Sequence, residues 1–82
     1  MKRKAHITIS GHDHVGIIAN ISKEMAKYGV NIVDVSQTVL SEHFTMVLVA
    51  DLSGLTISVD EFSQRMESLI DQLNLSMRMK LQ

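Results

Sequence analysis

The stretch Gly11-His12-Asp13-His14-Val15-Gly16-Ile17-Ile18 lies where the periodicity of the sequence changes. Before it, residues 4–10 alternate between apolar and polar side chains, as in a strand with one buried face. After it, apolar residues recur at the spacing of an amphipathic helix. The stretch is therefore predicted to be a strand-to-helix turn that contains two glycines, and the rest of the chain is organised around it.

This turn is suited to binding an anion as well as to connecting two elements. Glycine has no Cβ atom, so a ligand can come close to the backbone. The start of a helix leaves backbone N–H groups without partners and carries partial positive charge, and both properties favour a carboxylate. The alternative is a plain connection in which Asp13 is the helix N-cap. The residues of the turn alone leave both interpretations open.

Length and composition predict one small domain, residues 1–82, that needs a partner. A chain of this size buries only about 60% of the surface that its unfolded form exposes, so such domains often add disulfides, metals or a partner subunit. The sequence has no Cys, which excludes disulfides and thiolate metal sites and fits a reducing cytoplasm. We therefore expect a cytoplasmic homodimer or higher homo-oligomer.

Charge and hydropathy argue against two classes of partner. The net charge is −1, so the composition gives no indication of binding to nucleic acid or to an anionic membrane surface. No apolar run reaches the roughly 18 residues that a membrane span requires. The basic segment Lys2-Arg3-Lys4 precedes a His-containing strand, and we interpret it as a solvated end rather than part of a signal segment.

Turn and cap signals divide the chain into four strands and two helices. Gly29 is placed as the left-handed residue that ends the first helix, and Ser41-Glu42 as the turn between two strands. Ser58 and Glu61 match a capping box at the start of the second helix. The predicted elements are strand Lys4–Gly11, helix Val15–Tyr28, strand Asn31–Leu40, strand Phe44–Leu52, the helix that follows Ser58, and strand Leu75–Leu81.

The order β-α-β-β-α-β predicts an α+β, ferredoxin-like sandwich in which two helices cover one face of a four-stranded antiparallel sheet. Right-handed crossovers place the first and third strands in the centre. In the third strand Phe44, Met46 and Leu48 form one face, but Val47 and Val49 make the opposite face apolar as well. We expect the uncovered face or a sheet edge to meet a second chain. The alternative is that these valines are isolated exposed residues.

The pattern resembles the ACT domain, a small regulatory module of amino-acid metabolism, and looks most like the short stand-alone bacterial ACT proteins. Three segments carry the resemblance: Asp13-His14-Val15-Gly16-Ile17-Ile18, Tyr28-Gly29-Val30-Asn31-Ile32, and the strand segment Ser36-Gln37-Thr38. The resemblance covers nearly the whole chain. It implies a βαββαβ fold that dimerises and binds an amino acid between subunits.

The resemblance also implies which residues bind the ligand. In serine-binding relatives the turn reads His-x-Asn-x-x-Gly; here Gly16 matches the final Gly, Asp13 stands at the Asn and Gly11 at the His. Asn31 matches the second ligand-binding Asn. The implied site comprises Gly11, His12, Asp13, His14, Val15, Gly16, Ile17, Asn31 and Ile32.

The predicted topology separates the two halves of this site. The first turn lies at one end of the sheet, and Asn31, one helix later, lies at the other, roughly 20 Å away at 1.5 Å per residue. The two cannot share a ligand within one subunit. A second subunit that packs antiparallel about a two-fold axis could complete the site.

Two other binding functions fit parts of the sequence. His12, Asp13 and His14, together with His43 from the third strand, could supply ligands to zinc or a similar ion. A pure interaction module would keep the fold, bind no ligand and engage a regulated protein partner through the exposed strand or the helices.

Enzymes and RNA-binding proteins of this fold are disfavoured. Arg3, Arg65 and Arg78 lie outside the first turn, so the phosphate-binding turn of small hydrolases with this strand order is not assembled. Only one aromatic residue, Phe44, is on a predicted strand, whereas RNA binders of this fold stack bases on sheet aromatics. The sequence therefore predicts a non-catalytic regulatory module that dimerises and binds a small amino-acid-like ligand, without a cofactor or a metal.

Overall fold

The computed structural model describes residues 3–82 and contains the elements in the predicted β-α-β-β-α-β order. One antiparallel sheet has the strand order β2-β3-β1-β4, so the first and third strands are central. This confirms the predicted ferredoxin-like fold. Lys2, part of the basic segment interpreted as a solvated end, lies outside the described residues. The elements are β1 Lys4–His12, α1 Ile17–Lys27, β2 Asn31–Leu40, β3 His43–Asp51, α2 Val59–Gln72 and β4 Leu75–Leu81.

The core lies between the sheet and the two helices. Along β1, Ala5, Ile7 and Ile9 are fully buried, while the residues between them are partly or fully exposed. β3 alternates in the same way, and each helix contributes one apolar stripe. The buried helix residues are Ile17, Ile21 and Met25 of α1 and Phe62, Met66 and Ile70 of α2.

The central strands differ from the prediction by one residue: β1 is one residue longer, and β3 is shifted by one residue and ends at Asp51 rather than Leu52. β1 continues to His12 and β3 begins at His43, and these two residues are Cα partners. Ser41 and Glu42 form the turn, with φ angles of 53° and 50°. Positive φ at both central residues is the conformation of a two-residue hairpin, which is usually made by Asn-Gly. The turn therefore fixes the β2–β3 register without the sequence signal that normally announces it.

Helix α1 is shorter than predicted, because it begins at Ile17 rather than Val15 and ends at Lys27 rather than Tyr28. Val15 is 100% exposed and belongs to the turn. Ile18, predicted to lie in the core stripe, is 41% exposed. Ile18 faces the gap between α1 and the edge strand β2, where it lines a small hollow together with Val35 and Gln37.

Helix α2 begins as its cap signal predicted. The Ser58 hydroxyl oxygen accepts a 3.0 Å hydrogen bond from the Glu61 N–H, which satisfies one of the unpaired donors of the first turn. The Glu61 carboxylate lies 3.6 Å from Arg65, the i, i+4 pair expected on the solvent side. Phe62 is buried, and Ile57 packs against the same core.

Strand β2 is the exposed edge of the sheet. Nine of its ten residues are exposed, the exception being the half-buried Ile32. A register shift between Ile32 and Asp34 inserts Val33 as a bulge. Beyond the bulge, Val35, Gln37 and Val39 pair with the buried residues of β3 and therefore lie on the helix side of the sheet.

The sheet face away from the helices is called the open face. The register arranges its residues in rows that cross all four strands, and within residues 3–82 no helix packs over them. The three complete rows are Asp34-Val49-His6-Lys80, Ser36-Val47-Thr8-Arg78 and Thr38-Thr45-Ser10-Ser76. Neither α1 nor α2, the helices of the described residues, is long and apolar enough to cross a membrane.

Candidate functional site

The first turn ends in an unusual helix start at Gly16. This residue is the N-cap of α1 and has the left-handed φ angle of 91°, which favours glycine over residues that carry a Cβ atom. No side chain among the described residues caps the helix, so the hypothesis that Asp13 is the N-cap is wrong. The N–H groups of the first helical turn therefore remain available to an external acceptor.

The side chain of Asn20 strengthens this turn from inside the helix. Its amide Nδ2 donates a 2.7 Å hydrogen bond to the Gly16 carbonyl oxygen, which also accepts the Asn20 backbone N–H at 3.0 Å. Both bonds use the carbonyl and leave the Gly16 and Ile17 N–H groups uninvolved. Asn20 was not among the predicted site residues, because its contribution depends on the position at which the helix begins.

Two further contacts hold the loop between β1 and Gly16. The Asp13 N–H donates to the Glu42 carbonyl oxygen at 2.8 Å, which ties the loop to the β2–β3 hairpin. The His14 Nε2 donates to the Leu73 carbonyl oxygen at 3.0 Å, at the end of α2. His14 therefore braces the loop against the second helix.

The remaining predicted residues of the turn have different surroundings. Gly11 packs against Leu75, since a Cβ atom there would lie 2.6 Å from Leu75 Cδ2. Its helix-side surface is therefore covered by β4. His12 is exposed and lies beside its strand partner His43, which places both imidazoles toward the open face.

A cleft of about 370 Å³ opens beside the turn. One wall is the loop and the start of α1, and the other is the end of β2 with the buried Phe44 behind it. Its volume is at the small end of the range for ligand pockets. The lining residues are Asp13, His14, Gly16, Ile17, Ile18, Ala19, Gln37, Val39 and Phe44.

The predicted site lacked five of the residues that line this cleft: Ile18, Ala19, Phe44 and, on the opposite wall, Gln37 and Val39 of β2. The segment Ser36-Gln37-Thr38 contributed to the family resemblance, but no role followed from it. The signal that could have identified Gln37 and Val39 is positional: an antiparallel β2 paired with β3 returns to the same end of the sheet as the first turn. Gln37 is exposed, and its amide offers both a donor and an acceptor.

The cleft continues along the gap between α1 and β2 as an apolar groove. A smaller hollow of about 80 Å³ lies between Ile18 and Ile21 on the helix and Ile32 and Val35 on the strand. Val35 and Val39 are 50% and 54% exposed. The groove and the bare edge of β2 together form an exposed apolar strip that ends at the turn.

Asn31 and Ile32 do not join the turn within the chain. Asn31 pairs with Asp51 at one end of β3, whereas His12 pairs with His43 at the other end. The structure thus confirms the predicted separation. The bulge at Val33 adds a detail that alternation did not predict: Ile32 pairs with the buried Ala50 and faces the helix side, and Asn31 lies on the opposite side.

The charge of the cleft comes from Asp13 and from the start of α1. The carboxylate of Asp13 and the amide of Gln37 are polar side chains at its rim, and the helix start adds partial positive charge. Within residues 3–82, no three His, Cys, Asp or Glu side chains are gathered as a metal site, and His14 already bonds to Leu73. This arrangement does not support the zinc hypothesis. Its donors and acceptor suit a small molecule that carries both a carboxylate and an ammonium group.

Comparison with known proteins gives a family match and relatives over most of the chain. The sequence model of the ACT domain matches residues 5–80. A UPF0237 protein of Clostridium acetobutylicum is 39% identical over 77 residues, which cover 94% of this chain and 86% of the relative. A UPF0237 protein of Listeria innocua is 35% identical over 77 residues, with the same coverage of both chains.

Solved structures give the same result. An ACT domain protein from Streptococcus pneumoniae superposes with a TM-score of 0.84 and 36% identity, over 99% of this chain and 91% of that chain. A formyltetrahydrofolate deformylase from Pseudomonas syringae superposes with a TM-score of 0.89 over 99% of this chain and 28% of that enzyme, but at 22% identity it shows the fold alone. The chain therefore belongs to the ACT domain family of regulatory, ligand-binding modules.

Proposed function

We propose that residues 1–82 act as one non-catalytic, cytoplasmic regulatory domain that dimerises and binds a small amino-acid-like ligand at the subunit interface. One observation carries the proposal: a helix start without a side-chain cap, at Gly16, opens on a cleft whose other wall is the bare edge strand β2. A site built in this way is open on the side where a second chain would pair.

The ligand is recognised by groups at both walls of the cleft. Its carboxylate accepts hydrogen bonds from the N–H groups at the start of α1, near Gly16 and Ile17. Its ammonium pairs with the Asp13 carboxylate in a charge-assisted hydrogen bond, and the Gln37 amide fixes its orientation. Among the described residues that line the cleft, the side chains able to act as a nucleophile are Asp13, which pairs with the ligand ammonium, and His14, which bonds to the Leu73 carbonyl oxygen, and these roles support binding rather than catalysis.

The second chain completes the site through an antiparallel β2–β2 pairing. β2 has ten residues, a single charged side chain at Asp34, and neither Pro nor Lys, so it lacks the usual protection of an edge strand. Two-fold pairing of such a strand brings its beginning next to the end of the same strand in the other chain. Asn31 and Ile32 of the second chain then lie beside Val39, at the rim of the cleft.

A thermal-shift screen of the twenty amino acids with the intact chain tests the proposal. A ligand present at about 100 times its Kd adds about 2.7 kcal/mol to the free energy of unfolding. For a domain of this size, each kcal/mol raises Tm by about 4–8 °C. A shift with one or a few amino acids that disappears in Gly16→Val is the expected result. Twenty null results at high concentration would overturn the ligand part of the proposal.

The same edge strand favours one second candidate, a module that binds a protein partner and no small ligand. An exposed strand can accept an extended peptide as an additional strand, and Leu40, at the end of β2, is 74% exposed. The two candidates differ in their response to Gly16→Val. This substitution removes amino-acid binding but leaves strand addition along β2 unchanged, as measured by binding of a fluorescent peptide that corresponds to residues 31–40.

A further inference from the structure

The open face has an uneven distribution of charge. Asp34 lies on β2 at one margin, and Arg78 and Lys80 lie on β4 at the other margin. Between them, the three complete rows place only Val, Thr, Ser and His on the two central strands. Lys4 and Asp51, which are strand partners, occupy the end of the face and offset each other.

This distribution is that of an interface rather than of an ordinary solvated sheet. Interfaces between proteins have a centre depleted of charged residues and a polar rim. Val47, at the centre of the face, is 42% exposed, and its neighbours across the strands, Ser36 and Thr8, are small and neutral. Long Lys or Glu side chains, which normally cover the outer face of an antiparallel sheet, are absent from the β1 and β3 positions of these three rows.

We propose that the open face is a second self-association surface, on which another copy of this chain packs sheet against sheet. The two-fold axis runs parallel to the strands, between the two sheets. This operation places β4 of one copy over β2 of the other and keeps each row in register with the same row. Asp34 then faces Lys80 of the second copy, and the contact occurs twice because the axis is two-fold.

The alternative two-fold axis, perpendicular to the strands, is unfavourable. It places β2 over β2 and β4 over β4, so the basic residues Arg78 and Lys80 of both copies lie on the same side. The parallel axis instead places the acidic margin of one copy over the basic margin of the other, with Val47 facing Thr8 and Val49 facing His6 of the second copy. Stacked sheets pack about 10 Å apart with strands within roughly 30° of each other, a geometry that these short central side chains allow.

This surface is independent of the ligand site and of the β2 edge. The edge pairing extends the sheet sideways, whereas the stacking uses its face, so both can form in one assembly. A chain that uses both forms a tetramer, and a chain that uses one forms a dimer. Loss of either interface alone converts the tetramer to a dimer.

The charge reversal Lys80→Asp tests the stacking by sedimentation equilibrium of the full chain. It places like charges against Asp34 of the second copy at two positions, and we expect association through this face to weaken by at least about tenfold. Lys23→Asp is the matched control, because Lys23 is exposed on α1 and the change in net charge is the same. Arg78→Glu should act like Lys80→Asp if the latter folds poorly, and thermal melts check the fold of each variant.

The double variant Asp34→Lys, Lys80→Asp restores the opposite charges in reversed order and should recover wild-type association. All variants are also measured on a Val35→Lys background, which removes the β2 edge pairing, so that failure of the edge proposal and failure of the stacking proposal give different masses. Equal association of Lys80→Asp, Lys23→Asp and the unmodified chain would overturn the stacking. A double variant as weak as the single variant would overturn it as well.

Discussion

Gly16 and Asn31 lie beyond opposite ends of strand β3. Gly16 follows the end of β1 that pairs with His43, and Asn31 pairs with Asp51. The eight steps between His43 and Asp51 span roughly 26 Å at about 3.3 Å per residue. One amino-acid-sized ligand cannot touch both residues of one chain. The site implied by the family resemblance therefore requires two chains, and several of the following predictions depend on this geometry.

The substitution Gly16→Val is expected to abolish ligand binding and to lower stability. The left-handed φ of 91° costs a residue with a Cβ atom about 1–2 kcal/mol, and a β-branched residue more. Space is not the limiting factor, since a Cβ atom would meet only Asn20 Nδ2, at 3.4 Å. The melting temperature and ligand-induced shift are the measurements. Gly16→Asn is the control, because Asn tolerates this conformation; it should retain most of the stability, whereas a Gly16→Val chain with wild-type affinity would contradict the role of this backbone.

Gln37→Leu is expected to weaken ligand binding while the free protein keeps its stability. Gln37 is exposed on the helix side of β2, so the loss of its amide removes no internal hydrogen bond that the described contacts include. A ligand group left without a partner costs about 1–3 kcal/mol, or roughly 5- to 150-fold in Kd. Titration calorimetry with the amino acid identified in the screen measures this. Gln64→Leu, at an exposed position of α2, should bind as the wild type does.

Mixing Asp13→Ala with Asn31→Ala tests whether the site is shared. Each variant alone is expected to bind weakly, and neither should lose much stability, since Asp13 does not cap the helix. In a mixed dimer one site carries both substitutions and the other carries neither. About a quarter of the sites in a random mixture should therefore recover wild-type affinity. A mixture that binds no better than the separate variants would show that the site is not shared in this way.

Val35→Lys is expected to break the edge pairing of β2. A lysine near the middle of the strand places two like charges close to the two-fold axis, which is how natural edge strands avoid pairing. Val35 is 50% exposed, so the change has little effect on the fold of the single chain. Sedimentation should show an assembly of half the wild-type mass. Gln64→Lys, which adds the same charge on α2, should leave the mass unchanged.

Gly29→Ala is expected to destabilise the chain more than Gly16→Ala does. Both glycines have a left-handed φ, so both substitutions include the same backbone penalty. A Cβ atom on Gly29 would also run into the carbonyl oxygen of Gly54, where the loop before α2 passes over the end of α1. The backbone must shift to relieve this contact, and we expect an additional loss of about 1–3 kcal/mol, as for other overpacked positions. Equal melting temperatures for the two variants would contradict the close approach.

The fold followed from the sequence because local and global signals agree. Alternation in residues 5–9 and 44–50, the apolar stripes of both helices and the cap at Ser58 all indicate one arrangement. The order of elements then leaves few topologies, since crossovers are right-handed. The open, partly apolar face of β3 followed from the same alternation.

The details that the sequence did not reveal depend on contacts between distant residues. The bulge at Val33 has no turn residue to mark it. The contact of His14 with Leu73 joins residues 59 positions apart, so two histidines that flank an Asp resembled metal ligands. Gln37 becomes a cleft residue only when β2 is paired and α1 leaves it uncovered.

The bulge at Val33 changes which face of the sheet the following residues of β2 occupy. If the ten residues of β2 kept one alternation, Asn31 would lie with Val35 and Val39 on the helix side, and Ile32 would turn toward the open face. The extra residue lets the first part of the strand seal the core with Ile32 while the second part borders the groove with valines and Gln37. Deletion of Val33 would join Ile32 directly to Asp34 in the observed register, so both halves of β2 would keep their faces and only the bulge would be lost, whereas deletion of a paired residue of β2 would make one half exchange its two faces.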